Sequence, residues 1–172
     1  MYNTIEEAEA AYRGYIKEHV DNYNKVSSFV SGAHRSRFFG AVSTEHHDDS
    51  KYSAEEFEPY RKHFHPALED LPDKEGYDTA WRLHQKRNPH HWQYWVLIRG
   101  EGNIVPLPMP KAHILEMLCD WTAMGIKFNN VPSKWYAENQ NKMLLHPDTR
   151  ACVQEYMPCF DEAFYGLGGT NE

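Results

Sequence analysis

The sequence predicts an all-α protein, a bundle of helices. Three observations carry that expectation. Apolar residues recur at three- and four-residue spacing over residues 4–26 and again over 111–124, the period of a helix with one buried face. Helix-start signals recur along the chain: Thr4/Glu7 and Ser53/Glu56 as capping boxes, then Asn88-Pro89 and Pro147. No stretch shows strand-like alternation of any length.

Taken in order, the first helix is expected over residues 4–26. Its apolar face holds Ile5, Ala8, Tyr12, Tyr15, Ile16, Tyr23 and Val26, and His19 lies on that face between Ile16 and Tyr23. A second helix over 29–44 follows from Val30, Ala33, Phe38, Ala41 and Val42. It would deliver His46, His47 and Asp48 at its C-terminal end. His34, Arg35 and Arg37 within it read as a solvated polar face as readily as a substrate contact. A third helix opens at Ser53 and runs through residue 64, with Phe57, Tyr60 and Phe64 turned inward. His63 and His65 close it as surface residues, where cations complement the helix dipole. Residues 66–76 are a loop by composition.

Residues 77–87 form the next helix, and Asn88-Pro89 would start another. His84, His90 and His91 then straddle a helix–helix junction flanked by Trp81, Trp92, Tyr94 and Trp95, which suggests an enclosed polar pocket. Residues 100–110 hold two glycines and three prolines and read as an extended loop, placed where a lid over a site could lie. The helix over 111–124 has Ile114, Met117, Leu118 and Trp121 as its inner stripe and Gly125 as its C-cap. Asp120 lies close to that stripe, and a carboxylate buried there needs a partner, either a metal or an arginine. A short helix over 133–139 packs Trp135 and Tyr136. The last helix starts at Pro147 and runs to 165, kinked or divided at Pro158. The expectation is one domain, 1–172, with its core over 4–165.

Composition narrows the function. The chain has 172 residues, 41% of them hydrophobic and 14% aromatic, enough to bury a substantial core. A net charge of −7 argues against general nucleic-acid binding and leaves a small phosphorylated substrate open. No apolar run approaches the ~18–20 residues of a membrane span, and the acidic start MYNTIEEAEA lacks the apolar core of a signal peptide. Three cysteines with no CxxC pair suit a reducing compartment, so a cytoplasmic location is expected. No GxSxG elbow or HExxH pair offers another chemistry.

Eleven histidines are the compositional oddity. His47 and Asp48 are adjacent, an imidazole beside a carboxylate, and together they can hold a divalent metal from one point of the backbone. Lys51 follows one turn later, where a cation would hold an anionic group against that metal. His19, His84, His90, His91 and Asp120 fall on or beside other helices, as side chains that converge inside a bundle do.

The order His19, His47-Asp48, Asp120 resembles the HD superfamily of metal-dependent hydrolases, named for its His-Asp doublet. Members with two metals insert further histidines between the doublet and the last Asp, as His84 and His90-His91 would be here. The segments HDDSKYSAEEF, NPHHWQYW and EMLCDWTAMG are closer still to an uncharacterised bacterial and phage family, over about residues 12–140. The resemblance implies an HD-domain-like helical bundle. In it His19, His47, Asp48 and Asp120 would hold one metal, and Asp48 would bridge to a second held by His84, His90 and His91. Two divalent ions are implied, drawn from Fe, Mn, Mg, Co and Zn. His46 is the alternative to His47 if the register is off by one. Adjacent helical residues point about 100° apart, which favours one of His90 and His91 over both.

The function so implied is a metal-dependent phosphohydrolase acting on a phosphoester, with a nucleotide as one candidate. Asp48 and Lys51 would be catalytic. Lys51 and Arg87 would contact phosphoryl oxygens, and Trp92 would stack on a base. One alternative is an HD-type di-iron oxygenase acting on a small molecule. Another is a non-catalytic metal-binding helical protein, which predicts a closed coordination shell.

Overall fold

Helix α1 spans Ile5–Ala33 in a computed structural model that describes residues 1–38 and 46–170. It starts as the sequence predicts. Thr4 Oγ1 accepts from the Glu7 N–H at 3.2 Å, and the Glu7 carboxylate accepts from the Asn3 N–H at 2.9 Å. It does not stop near residue 26, because Tyr23, Val26 and Val30 extend the same buried stripe without a break. Among the described residues, the short α2, Arg35–Phe38, follows. Up to residue 38 the helix expected over 29–44 is the end of α1 plus that turn; its remainder, with Ala41, Val42 and Thr44, lies outside the described residues.

A 3-10 turn, Asp49–Tyr52, leads into α3, Ala54–Phe64. The second capping box does not form, since Ser53 makes no side-chain cap bond and Glu56 is fully buried, facing α4. Phe64 is half exposed rather than in the core. Helix α4, Lys74–Arg87, begins earlier than expected because Asp73 caps it, accepting from the Gly76 N–H at 2.8 Å.

The helix expected after Asn88-Pro89 is absent. The Asn88 side chain turns back instead of capping forward: its Nδ2 donates to the His84 carbonyl and to Ser50 Oγ, both at 2.8 Å. The chain then passes through a 3-10 turn, Trp92–Trp95, into an antiparallel hairpin of β1, Val96–Ile98, and β2, Ile104–Pro106, with Leu97 opposite Val105. Strands of three mostly apolar residues leave no alternation to read. The hairpin also takes up part of the loop expected over 100–110.

Helix α5, Lys111–Phe128, runs through Gly125 and ends at Asn129, whose φ of 49° is left-handed. Gly125 is needed for a different reason than capping: a Cβ there would sit 2.5 Å from the Asn130 carbonyl oxygen. Helix α6 is Pro132–Asn139, and α7, Pro147–Gly166, continues through the exposed Pro158. The fold is an all-α helical bundle with one small hairpin.

Helix α5 packs between α1 and α7, while α3 and α4 pack on each other. Two apolar clusters result. The larger joins Tyr23, Val26 and Val30 of α1 to α5 and α7 through Leu115, Leu118 and Phe160. The smaller joins Tyr12 and Ile16 of α1 to Phe57, Tyr60 and Ala80 of α3 and α4. His19 falls between them, so α1 carries a histidine into the seam. No helix among the described residues is long and apolar enough to cross a membrane.

Candidate metal centre

The His-Asp doublet is shaped by its backbone. His46 and Asp48 have φ values of 64° and 62°, in the left-handed region that His and Asp tolerate better than most residues. His46 points outward, its side chain 82% exposed, and its Nδ1 lies 2.7 Å from Asp49. His47 and Asp48 are both buried. The doublet register is therefore His47-Asp48, and His46 stands apart from the cluster.

Two donor groups meet at Asp48. On one side are His19, His47 and Asp120: His19 Nε2 lies 3.0 Å from Asp120 Oδ1, 3.3 Å from Asp48 Oδ2 and 3.3 Å from His47 Nε2. His47 Nε2 is 3.7 Å from Asp48 Oδ2 and 3.8 Å from Asp120 Oδ1. On the other side, His84 Nε2 and His90 Nε2 lie 3.3 and 3.6 Å from Asp48 Oδ1, and His91 completes the group. Within each group the donor atoms lie within 4.8 Å of one another. His90 and His91 both contribute because they sit in a turn, with His91 extended at φ −77° and ψ 127°, and not in a helix.

The donor chemistry fits a cation. Asp48 Oδ1, His90 Nε2 and His91 Nε2 are buried with no hydrogen-bond partner, which is costly for three polar atoms in one place. Burial would push the Asp48 carboxyl up, but Lys51, His47, and the close imidazoles of His19 and His84 hold it well below the usual carboxylate range. Burial opposes ionisation of Asp120 too, and hydrogen bonds from His19 and His47 outweigh it. Burial and the neighbouring His90 push the His91 imidazole down to about 3, leaving it neutral, as a ligand must be. These buried His/Asp groups can hold a metal ion.

A second set of side chains orients the first. Glu116 Oε1 lies 3.3 Å from His47 Nδ1 and 3.1 Å from His90 Nδ1, so one carboxylate turns a ring of each donor group inward by Nε2. Burial raises the Glu116 carboxyl, but hydrogen bonds from His47 and His90 bring it down to about 2. Glu56 Oε2 does the same for His84 Nδ1 at 2.8 Å. The Tyr23 ring stacks on His47 with centroids 3.8 Å apart. Glu116 was legible in principle: it is one helical turn before Asp120 and shares its face. Glu56 was hidden by its reading as a cap.

The remaining site residues fall differently. Lys51 Nζ bonds Asp48 Oδ2 at 2.6 Å and lines a cavity of about 240 Å³ with His19, Asp48, His84, His91 and Asp120. Arg87 stands behind the site, donating to Ser53 Oγ and Glu56 Oε1 at 2.9 and 3.0 Å. Trp92 lines a second cavity of about 540 Å³, which shares Trp81, His91, Asp120 and Met124 with the first. His34 and Arg37 pair with Glu162 and Glu155 of α7, and His63 stacks on Tyr77. No residue of 100–110 lines either cavity, so that segment is not a lid in this arrangement.

Fold and site together define an all-α protein with a buried His/Asp centre able to bind metal. The sequence matches the family of unknown function DUF5662 over residues 8–158, and the chain belongs to that family. The matched span contains every candidate ligand from His19 to Asp120. No curated protein and no solved structure matches the chain.

Proposed function

We propose that the chain is a metal-dependent phosphohydrolase with a dinuclear centre. The observation that carries this reading is the Asp48 carboxylate, which turns Oδ2 to His19 and His47 and Oδ1 to His84 and His90, with Asp120 completing the first donor group and His91 the second. The order His19, His47-Asp48, Asp120 is similar to that of the HD hydrolases, which adds support. The two cavities at the donors also favour a site that admits substrate over a closed structural shell.

A pair of divalent ions would lower the pKa of a bound water and neutralise charge on the attacked phosphorus. The chain's own residues supply the rest. Glu116 and Glu56 hold protons at Nδ1 of His47, His90 and His84, leaving each Nε2 lone pair facing the centre. Lys51 presents its ammonium beside Asp48, where it can donate to a phosphoryl oxygen. Tyr12, Tyr60 and Trp81 wall the smaller cavity and limit water around the reacting group.

The test begins with elemental analysis of protein purified without chelator, followed by phosphate release from phosphomonoesters and nucleotides. About two divalent ions per chain, with metal-dependent phosphate release lost in Asp48→Asn, is the expected result. A protein that takes up no metal overturns the proposal. The apolar cavity beside a histidine-rich centre favours one second reading, a di-iron oxygenase. Two irons with an optical or EPR signature that changes under O₂, and no phosphate release, would establish that reading instead.

A further inference from the structure

We propose that the larger cavity holds the organic part of the substrate, and that this part is a flat, largely apolar ring system with a hydrogen-bond donor on its edge. Resting on the hydrolase reading, this makes the substrate an aryl-type phosphomonoester and not a polyphosphate.

The cavity continues from the centre. His91 and Asp120, one from each donor group, are part of its wall, so a group held at the centre leads directly into it. Its volume of about 540 Å³ lies within the range of small-molecule sites, roughly 300–1,000 Å³. Four of the chain's five tryptophans line it: Trp81, Trp92, Trp121 and Trp135, each from a different element. The Trp121 and Trp135 ring centroids are 5.0 Å apart, tilted by 55°, so they form two faces of a pocket rather than one flat stack. Methionines at 117, 124 and 143 complete an apolar wall that adapts to ring outlines.

Charge excludes the alternative. Across both cavities the lysine and arginine side chains in the lining are Lys51 and Lys142 alone. Lys51 is held by Asp48, and Lys142 donates to Asn139 Oδ1 at 2.9 Å. A chain of phosphates would bring several negative charges into a space with almost nothing to pair them. One phosphoryl group at the centre is matched; three are not. The specific polar feature is Gln93, which lines the cavity and whose Oε1 is buried without a hydrogen-bond partner. A buried acceptor of that kind calls for a donor, and an O–H or N–H on the ring edge supplies it.

The test uses metal-loaded protein and three probes. 2,6-Dihydroxynaphthalene, which has no phosphate, is titrated against tryptophan fluorescence. 2-Naphthyl phosphate and methyl phosphate are compared by kcat/KM. Saturable quenching is expected, weakened about tenfold by Trp135→Leu through loss of one aromatic face. Gln93→Leu is expected to weaken it about fivefold through loss of one acceptor. Circular dichroism and metal content serve as fold controls for both variants. 2-Naphthyl phosphate should exceed methyl phosphate by at least about a hundredfold in kcat/KM. Ring binding that is absent, or equal in wild type and both variants, overturns the cavity assignment, even if methyl phosphate is hydrolysed and the hydrolase reading stands. Ring binding that depends on Trp135 with neither ester hydrolysed retires the hydrolase reading and leaves the cavity assignment in place.

Discussion

Replacing Glu116 separates a positioning role from mere packing. Its Oε1 touches Nδ1 of His47 at 3.3 Å and of His90 at 3.1 Å, and those two histidines belong to different donor groups. Removing an outer partner of a metal-bound histidine typically weakens metal affinity by about 10–100-fold, or roughly 1.4–2.7 kcal/mol. Glu116→Ala should therefore weaken both binding steps by that amount, because each loses one oriented imidazole. Glu116→Gln, which keeps the shape but loses the charge, should fall at the lower end. Glu56 touches only His84 within the centre, so Glu56→Gln should weaken one step and spare the other. The assay is a competition titration with Mn²⁺ or Zn²⁺ against a chromophoric chelator that resolves two steps, with circular dichroism to confirm the fold. Two affinities within twofold of wild type in folded Glu116→Ala, or a change in one step alone, would refute the role assigned to this carboxylate.

The remaining predictions test register, pairing and packing. His47→Ala should abolish one of the two metal-binding steps while His46→Ala retains both, because His47 and not His46 belongs to a donor group; equal loss in both would show that the doublet register is misassigned. Arg61 is fully buried and bonds both oxygens of Asp70, at 2.6 and 2.9 Å, holding that carboxyl down to about 2 from 3.8. A carboxylate with a depressed pKa stabilises the fold above its unfolded value and stops doing so as pH falls through the folded one. Asp70→Asn should thus cost about 3 kcal/mol near pH 7, the low end for a broken buried pair because Glu58 still contacts Arg61. That difference should shrink between about pH 4 and pH 2; denaturant titrations showing a pH-independent difference would contradict it. Gly125→Ala drives a methyl against the Asn130 carbonyl and should lower stability by about 1–3 kcal/mol, seen as a lower Tm. An unchanged Tm would show that the end of α5 yields easily.

Much of this arrangement was readable from side-chain spacing. The Thr4 cap, the stripe of α1 and the inner face of α5 follow from local rules, and they alone place His19 and Asp120 on inward faces. What local rules could not place depends on distant partners. Ser53 and Glu56 have the spacing of a capping box, yet Glu56 bonds His84 and Arg87 across the helix pair, and Ser53 accepts from Arg87. Asn88-Pro89 has the composition of a helix start, yet Asn88 closes the previous helix by bonding His84 and Ser50. In both cases partners outside the expected cap take the side chain: Arg87 and His84 for the first, Ser50 and the His84 carbonyl for the second. The reach of His90 and His91 into one donor group was hidden for the same reason, since it depends on the turn that Asn88 creates. Arg87 shows the limit of reasoning from proximity: it lies three residues from His84, yet bonds Glu56 through Oε1 while His84 bonds Oε2.

The position of His19 on α1 has a consequence for how the protein comes apart. The buried apolar residues Tyr12 and Ile16 before it pack with α3 and α4, and Tyr23, Val26 and Val30 after it pack with α5 and α7. Tyr15 and Glu18 also reach Met124 and Lys127 of α5. The centre draws His84 from α4 and Asp120 from α5, so bound ions would clasp two apolar bodies across a polar seam. Stripped of ions, that seam leaves Asp48 Oδ1, His90 Nε2 and His91 Nε2 buried without hydrogen-bond partners, and each body keeps its own apolar contacts. The loaded protein should then open as one cooperative unit and the stripped protein as two. Amides of α3 and α4 should exchange with solvent well before those of α5 and α7 after chelation, and together with them when the ions return.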